Sequence, residues 1–142
     1  MSPNTEQKTK IYEFLQKQLL AVISTVHDDG PQGAVIAFAE DENLELFFGT
    51  FNTTRKYANI RSNPKVAFAI GWSLDEVITV QYEGIATELE GEAVELAKQK
   101  ILAKNPGSAR FANDPKQRYF KVVPKWIRYS ALKVGDVFEV TI

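Results

Sequence analysis

The stretch GTFNTTRKYANIRSNP, Gly49 to Pro64, decides how this chain is read. Gly49-Thr50 closes an apolar run, LELFFGT (44–50). A helix-forming segment follows at about 53–62, and Asn63-Pro64 stops it. Arg55 and Lys56 stand where its first turn forms. Helix N-termini favour negative charge, so two adjacent cations there oppose the macrodipole. The opposition costs only about 0.3–1 kcal/mol for an exposed residue, and a bound anion would reverse it. With Asn52 or Thr53 as the cap, Thr54, Arg55 and Lys56 occupy the first turn, whose amides have no intrahelical acceptor. Those amides, the Thr53 and Thr54 hydroxyls and two cations form a donor set suited to phosphate, which Arg can meet with two N–H groups at once. The structural alternative pairs Arg55 with Glu42 or Asp75 and leaves Lys56 in solvent. The segment is not a complete phosphate-binding P-loop.

Upstream, Ile11, Phe14 and Leu15 recur at helical period in a helix expected from about Asn4 to Gln18. LLAVISTV (19–26) and GAVIAFA (33–39) read as strands around the turn His27-Asp28-Asp29-Gly30-Pro31. With LELFFGT they should form an antiparallel meander, because the connections are too short for a parallel crossover. Downstream, KVAFAIGW (65–72) and VITVQYEGIATEL (77–89) are strands, with Gly84 marking a bulge, sharp coiling or a close approach. GEAVELAKQKILAKNPG (91–107) is a helix with early glutamates and late lysines. A polar connector at 108–117 leads to RYFKVVP (118–124), WIRYSAL (126–132) and VFEVTI (137–142), with Pro124 at a bend or exit from the ladder. The expectation is a single domain over residues 1–142, mainly β with peripheral helices. A small closed or split barrel would remove the edges such apolar strands leave exposed; an open α+β sheet is the alternative.

Composition narrows the function. Seventeen basic residues against eighteen acidic give a formal charge of -1, which argues against bulk electrostatic binding to nucleic acid or an anionic membrane. No stretch reaches the length of a membrane-spanning helix, and the polar N-terminus lacks a signal-peptide core. There is no cysteine, which fits a cytoplasmic protein. His27 is the one histidine and reads as a turn residue, so neither a metal centre nor a histidine-based triad is expected.

TTRKYANI followed by NPKVAFAI resembles the flavin-binding split-barrel superfamily that includes pyridoxamine 5'-phosphate oxidase. So do LLAVISTVHDDGPQGAVIAFA, LELFFGT, VQYEGIATEL and YFKVVPKWIRYSA, in the family's order over most of the chain. The resemblance implies a homodimer with two FMN sites at the subunit interface. It puts Arg55, Lys56 and Thr54 on the FMN phosphate, Thr50 near the flavin, and the backbone from Val35 through Ile36 and Ala37 to Phe38 beside the ring. Gln81 is displaced by two from the register of a flavin-contacting glutamine, which falls on Thr79. The oxidases' Tyr-Thr at the end of the third strand is Gly49-Thr50 here, a ring-side Trp is Ser130, and their terminal substrate segment is absent. These departures argue against vitamin B6 oxidation. The implied function is hydride or electron transfer from FMN to a small-molecule redox substrate. A deazaflavin-dependent reductase, or a non-catalytic flavin or haem carrier or sensor, is the alternative.

Overall fold

The computed structural model describes residues 2–142. Helix α1, Thr5–Gln16, starts at a capping box in which Asn4 and Gln7 bond reciprocally to each other's backbone, and it buries Ile11, Phe14 and Leu15. Strands β1 (Leu20–His27) and β2 (Gly30–Ala37) form a hairpin around Asp28-Asp29. The turn is tighter than expected, and Pro31 lies inside β2. It can do so because β2 has a neighbour on one side only, so one edge of the strand needs no N–H donor.

Next come β3 (Ala39–Glu40), β4 (Leu46–Phe51), α2 (Arg55–Ser62), β5 (Lys65–Ile70) and β6 (Ile78–Glu88). Helix α3 (Glu92–Lys104), a 3-10 turn at Pro106–Ser108, α4 (Ala109–Ala112), β7 (Gln117–Ala131) and β8 (Asp136–Thr141) complete the chain. The supposed polar connector thus holds a turn and a short helix. The two strands expected around Pro124 are one fifteen-residue strand. Its irregularity is a bulge: Glu83 opposes Trp126 while Gly84 opposes Pro124. Gly84 is required there, since a Cβ would lie 2.5 Å from the Val123 carbonyl and 2.8 Å from Val122.

The meander expected over 19–50 does not form. β4 pairs with β7 and β3, and the sheet runs β2-β1-β5-β6-β7-β4-β3, with β8 continuing the edge of β7 beyond β4. The apolar run LELFFGT signals a buried strand, but it does not name the partner strand. β2 and β3 lie at opposite ends of the sheet path and are separated by Phe38 alone. One extended run, 30–40, therefore leaves one edge and arrives at the other, curling the antiparallel sheet into a split barrel with helices outside.

The barrel is filled by aromatic packing. Phe48 stacks on Phe120 with centroids 5.2 Å apart and meets Phe68 edge-on, and Phe68 meets Tyr82 in the same way. Tyr82 is fully buried, and its hydroxyl donates toward the carbonyls of Leu44 (2.8 Å) and Val122 (3.2 Å). Helix α1 packs into this core through Ile11, Phe14 and Leu15, and α2 through Ile60 and Tyr57. Helix α3 covers Phe47 and Tyr119 on the outer face through Ala97 and Ile101. Its last turn is tied down by Lys104, whose Nζ donates to the Leu15 carbonyl and to Glu40 and lies 3.9 Å from the Phe38 ring centroid.

Candidate functional site

The cap of α2 is Thr54, one residue later than Thr53. Its Oγ1 accepts from the Tyr57 amide (3.3 Å), donates to the Phe51 carbonyl (3.0 Å) and lies 3.0 Å from Thr50 Oγ1. A hydroxyl has one proton, and that of Thr54 is committed to Phe51, so Thr50 is the donor between them. Thr50, buried at the end of β4, thus holds the cap. Thr53 is exposed and precedes the helix. Arg55 and Lys56 become the first two helical residues, and their amides have no protein acceptor among the described residues.

The cations around α2 fall into two groups. Arg61 and Arg118 approach Glu88 at 3.6 and 3.7 Å, and Glu88 also accepts from the Tyr57 hydroxyl at 2.8 Å. Arg55 and Lys56 have no carboxylate within 4.0 Å among the described residues, so neither Glu42 nor Asp75 takes up Arg55. Arg55 is exposed, while Lys56 is half-buried. Burial alone pushes the Lys56 ammonium below its ordinary value, with no anion to offset it.

Lys56 stands between two compartments of one cleft. The first, about 300 Å³, has Gln32, Gly33 and Ala34 of β2 on one side and Thr54, Arg55 and Lys56 on the other. The second, about 290 Å³, runs along Val35, Ile36 and Ala37 past Gly49, under Ser108 and Arg110 of the turn–α4 segment. A Cβ at Gly49 would sit 2.3 Å from Gln117 Nε2 and 3.0 Å from Tyr119. The bare glycine therefore lets these two side chains from β7 lie across the cleft floor. Burial pushes the Tyr119 phenol up, eased by Gln117, so it stays protonated at neutral pH.

The structure thus brings together Thr50, Thr54, Arg55, Lys56, Val35, Ile36 and Ala37. Gln81 lies elsewhere, on the outer sheet face in a shallow hollow with Ser24, Ala67, Ala69 and Trp126. That face continues through exposed Leu20, Val26 and Val137, and Val35 belongs to both the face and the cleft. His27 is at the hairpin tip, accepts a long bond from the Asp29 amide (3.4 Å) and is not part of the cleft. Sequence reading missed Gln32, Ser108, Arg110 and Gln117. None sits in a local pattern pointing to a ligand: Gln32 lies on β2, Ser108 and Arg110 on the turn–α4 segment and Gln117 on β7, and only the tertiary fold gathers them at the cleft.

Residues 7–131 match the family profile described as pyridoxamine 5'-phosphate oxidase. No curated protein matches the sequence. Among solved structures, General Stress Protein 26 from Bacillus anthracis str. Sterne is 28% identical with a TM-score of 0.77, over 95% of this chain and 98% of that one. A heme binding protein from Mycobacterium smegmatis is 13% identical with a TM-score of 0.82, over 99% of this chain and 59% of the other. HutZ, the heme storage protein from Vibrio cholerae, is 20% identical with a TM-score of 0.64, over 82% and 89%. Two of these structures are described by heme and share the fold with this chain.

Proposed function

Since this chain belongs to the pyridoxamine 5'-phosphate oxidase family, we propose that it binds FMN in the cleft between β2 and α2 and acts as a flavin-dependent oxidoreductase on a small acceptor. The observation that carries this reading is the pair Arg55 and Lys56, without a carboxylate partner among the described residues at the opening turn of α2 while neighbouring arginines share Glu88. A phosphate there would satisfy two charged side chains, one of them the half-buried Lys56, and two free amides at once.

The residues present fit the group. Arg55 and Lys56 hold the phosphate, Thr54 sets the helix start, Thr50 fixes Thr54, and Thr53 adds an exposed hydroxyl beside them. The backbone of Val35, Ile36 and Ala37 flanks the ring, and Gly49 leaves room above β4. FMN, when bound, supplies hydride or electron transfer. The cleft contributes binding, orientation and partial exclusion of water, and solvent exchanges protons because no histidine lines it.

Val35 links the cleft to the outer sheet face, which supports a homodimer with two interface sites. The reading does not extend to pyridoxamine phosphate oxidation, given Gly49 and the buried Ser130. Haem would need an axial ligand, and His27 at the hairpin tip is not placed to give one. A deazaflavin offers the same phosphate and a planar ring. The mass and absorption spectrum of the small molecule that copurifies separate these cofactors. The decisive test replaces both cations, R55A/K56A, and titrates the protein with FMN and riboflavin. FMN affinity should fall far more than riboflavin affinity; equal losses reject the phosphate contact. Reduction by NAD(P)H followed by reoxidation by an added acceptor separates an enzyme from a carrier.

A further inference from the structure

We propose that Gln32, held in place by Asn59, is a third side chain that binds the phosphate, beside Arg55 and Lys56. The inference rests on the flavin reading above and adds a neutral donor on the opposite wall of the cleft.

Asn59 lies on the second turn of α2 and is 4% exposed. Its Nδ2 donates to Thr25 Oγ1 on β1 (3.0 Å) and to Gln32 Oε1 on β2 (2.9 Å). A carboxamide nitrogen has two hydrogens, and Asn59 spends both. Gln32 therefore has its oxygen pinned toward the helix, and its own NH2 group turns away from Asn59. No protein acceptor takes those two hydrogens among the described residues. Gln32 lines the compartment whose other wall is Thr54, Arg55 and Lys56. Unused N–H groups beside two cations that have no carboxylate partner among the described residues make this a donor-rich surface. Such a surface suits a tetrahedral oxyanion, which accepts on all sides, and repels a metal ion.

A core-stabilising role would account for Asn59 and Thr25, which are buried. It does not account for a glutamine whose oxygen is fixed and whose nitrogen is left free at the cleft wall. Asn59 is a positioning residue here, and Gln32 touches the ligand. The network also ties α2 to the β1–β2 hairpin, so the walls carrying the cations and Gln32 keep their spacing.

The test uses the full chain and two probes, FMN and riboflavin, followed by quenching of flavin fluorescence. Gln32→Leu removes the donor without adding charge. FMN affinity should fall about tenfold, the scale of one hydrogen bond to a charged group, with riboflavin affinity unchanged. Gln32→Glu keeps an oxygen for Asn59 and replaces the NH2 group by carboxylate oxygen; its loss of FMN should exceed that of Gln32→Leu. Asn59→Asp can only accept, so it draws the Gln32 NH2 group back from the cleft; because it also adds a negative charge, its loss of FMN should be at least that of Gln32→Leu. If Asn59→Asp fails to fold, the two Gln32 variants decide. The inference is overturned if Gln32→Leu binds FMN like the parent protein, or if it loses both probes equally. R55A/K56A is run alongside. Retention of FMN preference in that variant rejects the flavin-phosphate reading itself. Loss there, with preference kept in Gln32→Leu, rejects only the role of Gln32.

Discussion

Replacing Lys56 with Met isolates the charge at the centre of the cleft. The side chains are of similar length and apolar stem, so packing against β2 is largely kept and the ammonium is removed. In the bound state a contact between a charged donor and phosphate is worth about 1.5–3 kcal/mol. FMN affinity should therefore fall about 10- to 150-fold, and riboflavin affinity should hold. In the ligand-free state the effect runs the other way. The folded-state value for Lys56 lies below its ordinary value because burial disfavours the charged form and no carboxylate compensates. The folded protein carries that penalty while Lys56 is protonated, and loses it as pH rises through the depressed folded value toward 10.5. Ligand-free K56M should thus be at least as stable as the parent at neutral pH, with the difference shrinking under alkaline conditions. Urea denaturation across pH, paired with FMN and riboflavin titration, reads both halves. A variant that loses stability without ligand, or that weakens both flavins alike, would refute the reasoning.

Three further perturbations probe the frame around the cleft. Lys104→Ala strands Glu40, whose side chain is 9% exposed, and should cost about 3–5 kcal/mol in urea denaturation; adding Glu40→Gln should recover part of the loss. Gly84→Ala forces a methyl against the Val123 carbonyl and Val122 at the bulge and should lower stability by about 1–3 kcal/mol, measured as a lower denaturation midpoint. His27→Ala, at the exposed hairpin tip, should leave cofactor content and reduction rate unchanged; a large drop in either would point to a ligand role for this histidine.

The most legible part of the site was the most local. Arg55 and Lys56 stand out because they oppose a dipole whose direction follows from four or five residues. The cap moved from Thr53 to Thr54 because the buried Thr50 hydroxyl and the Phe51 carbonyl fix it, and such contacts leave no trace in periodicity. Gln32 and Asn59 are twenty-seven positions apart, and only the seating of α2 on the hairpin joins them. The partner of β4 was misread for a related reason: β7 lies some seventy residues downstream, and the intervening strands give no local clue to pairing. Gly84 was legible as an irregularity, although its cause is the carbonyl opposite. Gln117 was not legible at all, since its place in the cleft depends on the missing side chain of Gly49 across the ladder.

The lone residue between β2 and β3 makes Phe38 a seam. Val35 to Ala37, alongside the cleft, are the last links before it. A guest in the cleft would grip that run from the open side and fasten the barrel where it is least laced. Amide hydrogen exchange should then slow across residues 30–40 on adding FMN, while β5 and β6, already paired on both flanks, keep their rates.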